Sequence, residues 1–115
     1  MNREFVKSLL VLMEQNPELE VMCEVDSEIV CDDSFVWWLG KLNTKYEPKI
    51  REYSFIKEEK VIFKDDEEYC EWFEQLYDID EYSYVSDEDW DKFCEEKINN
   101  DVDWKKAIFV AITTL

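Results

Sequence analysis

Carboxylates recur at helical spacing in two stretches of the second half of the chain. Members of the first stretch are separated by four, three and four residues, and those of the second by three and four. Residues three or four apart share one face of an α-helix, about 4.5–6 Å apart along its axis. Each stretch therefore predicts a row of carboxylates on one helix face. The two rows are Glu67, Glu71, Glu74 and Asp78, then Glu88, Asp91 and Glu95.

Further acids and two aromatic side chains lie between the rows. Asp78, Asp80 and Glu81 precede Tyr82 and Tyr84. Duplex DNA carries about one negative charge per 1.7 Å of helix axis. Two rows of carboxylates imitate part of such an array, and tyrosine rings add stacking contacts. These residues together predict a surface that binds a groove lined with Lys and Arg.

The same acids fit calcium binding poorly. With Asp78 as position 1 of a calcium loop, Asp80 and Asp89 occupy positions 3 and 12. Position 5 is then Tyr82, and Ser83 stands at position 6, where the loop requires glycine. We expect no metal site, with weak divalent binding by this loop as an open alternative.

The chain contains few of the residues that catalytic sites usually require. The chain has no histidine, which removes the commonest general base and zinc ligand. Gly40 is the one glycine, so a glycine-rich phosphate loop is excluded. Adjacent acids such as Asp32-Asp33 and Asp65-Asp66 arise from the composition alone, with 30 acids in 115 residues. We predict no enzyme activity, no catalytic residue and no cofactor.

The cysteines indicate a reducing compartment. Cys23, Cys31, Cys70 and Cys94 contain no C-x-x-C pair. Met1-Asn2-Arg3-Glu4 opens no signal peptide, so we expect the cytoplasm of a bacterial host cell and free thiols. A disulfide between Cys23 and Cys31, which flank a turn, stays open as an alternative.

Composition predicts a folded and very acidic protein. The 115 residues hold 30 acids and 13 bases, for a net charge of −17, yet 18 residues are aromatic. An acidic disordered tail lacks that aromatic content. The segment 65–103 carries net −15, against −4 for residues 1–64 and +2 for residues 104–115. This charge repels nucleic acid and anionic membranes, so we expect direct binding to neither.

Periodicity in the first half predicts one helix and two strands. Residues 3–15 have helical apolar spacing, with Asn2 as the N-cap. Residues 19–25 alternate with period two, placing Val21, Cys23 and Val25 inward and Glu24 outward. Residues 35–42 are apolar on both faces and predict a central strand, although Trp37 or Trp38 could instead face outward and anchor a partner.

Periodicity in the second half completes an α+β fold. Strands are predicted at 50–56, 61–63 and 104–114, a helix at 66–77, and a further helix capped by Ser86 with Asp89 in the reciprocal position. The order αββββααβ predicts a single domain over residues 1–115. We expect three helices on a largely antiparallel sheet of about five strands.

Three strings carry a resemblance to known proteins. They are Glu20 to Val30, Trp37-Trp38-Leu39-Gly40, and Trp104 to Ile108. The chain resembles small proteins of phages and mobile elements in low-GC Gram-positive bacteria. In size, acidity and aromatic content it is also similar to phage anti-CRISPR proteins and antirestriction DNA mimics. That resemblance implies inhibition of a host nuclease at its nucleic-acid site.

The expected function is stoichiometric inhibition of a host nucleic-acid-binding defence enzyme. The partner would be the basic groove of a host nuclease or of a CRISPR effector such as Cas9, occupied by acids in place of phosphates. A phage accessory or interaction module, acidic only for solubility, is the alternative. A calcium-responsive module is the third hypothesis.

Overall fold

The computed structural model describes residues 2–26, 29, 39–57 and 60–115. Within these residues the chain forms three α-helices and a five-stranded mixed sheet, which confirms the α+β prediction. The elements are α1 Arg3–Gln15, β1 Val21–Val25, β2 Lys41–Leu42, β3 Lys49–Ile56, β4 Lys60–Phe63, α2 Tyr69–Leu76, α3 Trp90–Asp101 and β5 Lys105–Thr113, with 3₁₀ turns at Lys64–Asp66 and Ile79–Tyr82.

Local sequence signals fix both ends of α1. The Asn2 side chain accepts a hydrogen bond from the Glu4 N–H at 2.9 Å, as an N-cap does. The helix ends before Asn16, whose N–H donates to the Leu12 carbonyl, and Pro17 follows. Phe5 is the buried residue of this helix. The predicted bounds of 3–15 are confirmed.

The sheet is mixed, where a largely antiparallel one was expected. Its strand order is β1-β5-β3-β4, with β2 beside β5. β3 and β4 pair antiparallel across a short turn, whereas β1 pairs parallel with β5, with Cys23 opposite Val110. Parallel neighbours need a long connection, and the chain from β1 to β5 includes two helices. That return path could not be read from local spacing.

The face that β1 turns inward is opposite to the predicted one. Met22 and Glu24 are half-buried, while Val21, Cys23 and Val25 are exposed. The Glu24 carboxylate lies 2.6 Å from the Arg51 guanidinium, whose side chain is only 11% exposed. A buried cation requires a paired anion, so this ion pair holds Glu24 inward.

The predicted strand 35–42 is described only at its end. Lys41–Leu42 forms β2, antiparallel to β5, and Leu39 before it is 80% exposed. Trp37 and Trp38, with the question of an outward anchor, lie outside the described residues. Gly40 is explained by a close approach, since a Cβ there would stand 2.5 Å from the Ile112 side chain.

The chain divides into two compact units. One comprises residues 1–51 and 106–115, and the other residues 52–105. The prediction of one domain over residues 1–115 stays a prediction. The second unit has a core from β3, β4, α2 and α3. Its buried residues are Ile56, Ile62, Trp72, Phe73, Cys94 and Ile98.

Both helices of the second unit begin later than predicted. Ahead of α2, Glu67 adopts a left-handed conformation with φ 54°, so the helix starts at Tyr69 and not at residue 66. Ahead of α3, the Ser86 hydroxyl donates to the Asp89 carboxylate at 3.0 Å. Residues 87–89 form a turn there and the helix starts at Trp90, so the predicted Ser86 cap was wrong.

Candidate functional site

The first predicted row of carboxylates does not lie on a single helix. Glu71 and Glu74 are on α2, as expected. Glu67 adopts a left-handed conformation directly after the first 3₁₀ turn. Asp78 precedes the second 3₁₀ turn, and its side chain accepts a hydrogen bond from the Asp80 N–H at 3.1 Å. The straight row of four is therefore corrected to a pair on α2 flanked by two turn residues.

The structure instead brings members of both rows into one cleft, here called the acidic cleft. It has a volume of 480 Å³ and lies between α2 and α3. Four of the predicted partner-binding acids line it, two from each row, and Glu68 adds a fifth carboxylate. The lining is Glu67, Glu68, Tyr69, Cys70, Glu71, Asp91 and Glu95.

Positive charge lies elsewhere on this unit. Lys92 is 3.9 Å from Glu96 and Lys97 is 3.2 Å from Asp101, in pairs along α3. No Lys or Arg is among the residues that line the acidic cleft. Among the described residues, Glu71 forms no salt bridge. The cleft carboxylates all carry negative charge, so the cleft attracts cations.

Cys70 is a lining residue that the sequence analysis did not single out. Its thiol donates to the Asp91 carboxylate at 3.2 Å. Burial, with the Asp91 carboxylate beside it, raises the pKa of the Cys70 thiol to about 12. Burial also raises the pKa of the Cys94 thiol. A thiol held protonated is a poor nucleophile, so the raised pKa lowers the reactivity of Cys70.

Prediction and structure agree on free thiols where both can be compared. Cys23, Cys70 and Cys94 are free. Cys31 lies outside the described residues, so nothing can be added about it. The alternative of a Cys23–Cys31 disulfide is not supported, because Cys23 is a free thiol.

A second cleft, here called the aromatic cleft, contains other predicted residues. Its volume is 330 Å³. Three acids, from α2, from the second 3₁₀ turn and from the turn before α3, line it together with two rings. The lining is Glu74, Ile79, Asp80, Tyr82, Ser83, Val85, Asp87 and Trp90.

The two predicted tyrosines differ in their surroundings. Tyr82 is half-buried and packs edge-on against Phe73, with ring centroids 5.1 Å apart. Tyr84 is 76% exposed and lines a third cleft, of 450 Å³, beside Phe93. Of the two, Tyr84 has the ring that a partner can cover most fully.

The remaining predicted acids lie on the surface outside these clefts. Glu81 is exposed in the second 3₁₀ turn, and Glu88 is exposed in the turn before α3 and not on the helix. The Asp78 carboxylate caps the second 3₁₀ turn, Ile79–Tyr82. Over the described parts of the chain, no three His, Cys, Asp or Glu side chains are placed to hold a metal ion.

The sequence did not predict a hydrogen-bonded group at the end of α3. The Tyr77 hydroxyl donates to Asp101, which also pairs with Lys97 at 3.2 Å. Burial and the hydrogen bond to Asp101 raise the pKa of the Tyr77 hydroxyl, while Tyr77 and Lys97 lower the pKa of the Asp101 carboxyl. Lys97 therefore pairs at the end of α3 and does not line the acidic cleft.

None of the described helices has the length and apolar character that a membrane span requires. In comparisons with known proteins, no family model, no curated protein and no solved structure matches the chain.

Proposed function

We propose that this protein is a stoichiometric inhibitor of a host nucleic-acid-binding defence enzyme, acting as a mimic of nucleic-acid phosphates. The observation that carries the proposal is the acidic cleft. Glu67 and Glu71 from one side and Asp91 and Glu95 from the other share one concave surface, and no basic side chain lines it. Such a surface suits a partner rich in Lys and Arg.

The spacing of the acids supports mimicry of phosphates over solubility alone. Asp91 and Glu95 lie four residues apart on α3, about 6 Å along its axis. Each strand of duplex DNA places a phosphate about every 3.4 Å along its axis, so this pair spans roughly two phosphate steps. A surface selected only for solubility mixes the two signs of charge.

The mechanism is competition for a basic groove. A net charge of −15 over residues 65–103 attracts such a groove at a distance and raises the association rate. Once seated, the carboxylates pair with the Lys and Arg that would otherwise hold DNA phosphates. The groove is then both neutralised and blocked, and no bond needs to be made or broken.

A mobility-shift experiment tests this mechanism. Guide-loaded effectors of the Cas9 type, with labelled target DNA, are titrated with the protein at about 50 and 500 mM salt. Because exposed charges are screened over about 10 Å at 0.1 M salt, we expect DNA displacement at low salt and much weaker displacement at high salt. Without effector, the protein should not shift DNA. Unchanged DNA loading at low salt would favour the interaction module whose acidity serves solubility.

A further inference from the structure

Whereas Tyr69 is the one ring in the lining of the acidic cleft, the aromatic cleft combines two rings with apolar side chains. Its floor includes the rings of Tyr82 and Trp90, and Ile79 and Val85 add apolar surface. Glu74, Asp80 and Asp87 complete the lining, which contains no Lys or Arg. Aromatic faces beside carboxylates are the usual surroundings of an organic cation. Carboxylates alone would serve any cation equally well.

The two rings are held in place before any ligand arrives. Phe73 is fully buried, and the rings of Tyr82 and Trp90 both lie with their centroids 5.1 Å from its centroid, at 80° and 76° to its plane. Trp90 also stacks on Phe93 at 6.0 Å. Rings fixed by core packing lose little conformational entropy on binding, so the cleft is preorganised.

The three carboxylates reach this cleft from three separate elements. Glu74 comes from α2, Asp80 from the second 3₁₀ turn and Asp87 from the turn before α3. In the described parts of the chain, none of the three forms a salt bridge. Apolar, planar and anionic contacts therefore meet in this cleft, and no Lys or Arg is among its lining residues.

A guanidinium group fits this combination better than an ammonium group does. It is planar, stacks on aromatic faces and is weakly hydrated, and its donors reach carboxylates in its own plane. An ammonium is compact and strongly hydrated, so it gains less from rings. The cleft volume of 330 Å³ has room for one such side chain.

We propose that the aromatic cleft is a docking pocket for a single arginine side chain of the partner protein. The guanidinium stacks against Trp90 or Tyr82, and Glu74, Asp80 and Asp87 accept its hydrogen bonds. The basic nature of the partner rests on the proposed function, whereas the preference for arginine over lysine rests on the rings. This pocket fixes where the partner sits, while the acidic cleft supplies the general attraction.

The test uses short peptides and the whole 115-residue chain. The peptide acetyl-Gly-Arg-Gly-amide is titrated into ¹⁵N-labelled protein, and the indole N–H signal of Trp90, assigned with Trp90→Phe, is followed. We expect a saturable shift that is about two- to fivefold tighter than with the lysine peptide, from the aromatic contact. The peptide with neutral citrulline, which keeps the shape, should produce no shift.

Two charge-matched variants localise the binding. Glu74→Gln with Asp80→Asn and Asp87→Asn should weaken binding of the arginine peptide roughly tenfold, by removal of three partly solvated ion pairs. Glu67→Gln with Glu71→Gln and Glu95→Gln removes the same charge from the acidic cleft and should leave the Trp90 shift in place. Equal weakening in both variants, or no response at Trp90, would overturn the pocket.

The outcome separates this pocket from the proposed function. If Trp90 does not respond but DNA displacement from the effector persists, the arginine pocket is wrong and phosphate mimicry stands. If the pocket binds the arginine peptide but no effector loses its DNA, the pocket stands and the inhibitor proposal fails.

Discussion

At the scale of single residues, Cys70 shows how burial changes the chemistry of a side chain. Its thiol is hydrogen-bonded to Asp91 in the acidic cleft, and its pKa rises to about 12. A folded-state pKa above the ordinary 9.0 means that the folded protein holds this proton more tightly than the unfolded chain does. The stabilisation is complete below pH 9 and is lost as the pH rises toward 12.

Thiol labelling tests this environment. Raising the pKa from 9.0 to about 12 lowers the thiolate fraction near neutral pH roughly a thousandfold. We therefore expect iodoacetamide at pH 8 to modify exposed Cys23 at least a hundredfold faster than Cys70, read by peptide mass spectrometry. In about 6 M urea the two rates should converge. Similar rates in the folded protein would contradict the hydrogen-bonded, protonated thiol.

At the scale of elements, local signals predicted the fold better than they predicted the ends of its helices. The residues that set the ends of α1, Asn2 and Pro17, lie within two residues of the helix, so the sequence alone predicted both ends. The start of α2 depends on the left-handed conformation of Glu67, a position with no glycine to indicate it. The face of β1 depends on Arg51, 27 residues beyond Glu24, and no local pattern contains that ion pair.

The strained start of α2 gives a stability prediction. Glu67 has φ 54°, which glycine adopts without steric cost, so Glu67→Gly should raise the free energy of unfolding by about 0.5–1 kcal/mol. Glu68→Gly is the matched control, since it removes a carboxylate from the same cleft at an ordinary φ of −92°. That control should lose stability in urea denaturation. Equal changes in both variants would mean that charge relief and not backbone strain sets the result.

At the scale of the whole molecule, charge is distributed very unevenly along the chain. Residues 65–103 carry net −15 of the total −17. The sequence could not show that members of both predicted rows line one cleft, because their meeting depends on the packing of α2 against α3. The proposed function follows from this tertiary arrangement and not from acidity alone.

Charge reversal in the acidic cleft separates phosphate mimicry from acidity that serves only solubility. Glu67→Lys, Glu71→Lys and Glu95→Lys together are compared with Glu14→Lys, Glu18→Lys and Glu20→Lys, an equal change of charge at exposed positions of the other unit. Both variants should melt within a few degrees of the parent, since exposed substitutions change stability little. Displacement of labelled DNA from a guide-loaded effector is the measurement. We expect the cleft variant to lose displacement at least tenfold while the control retains most of it; equal displacement by the two folded variants would refute phosphate mimicry by the acidic cleft.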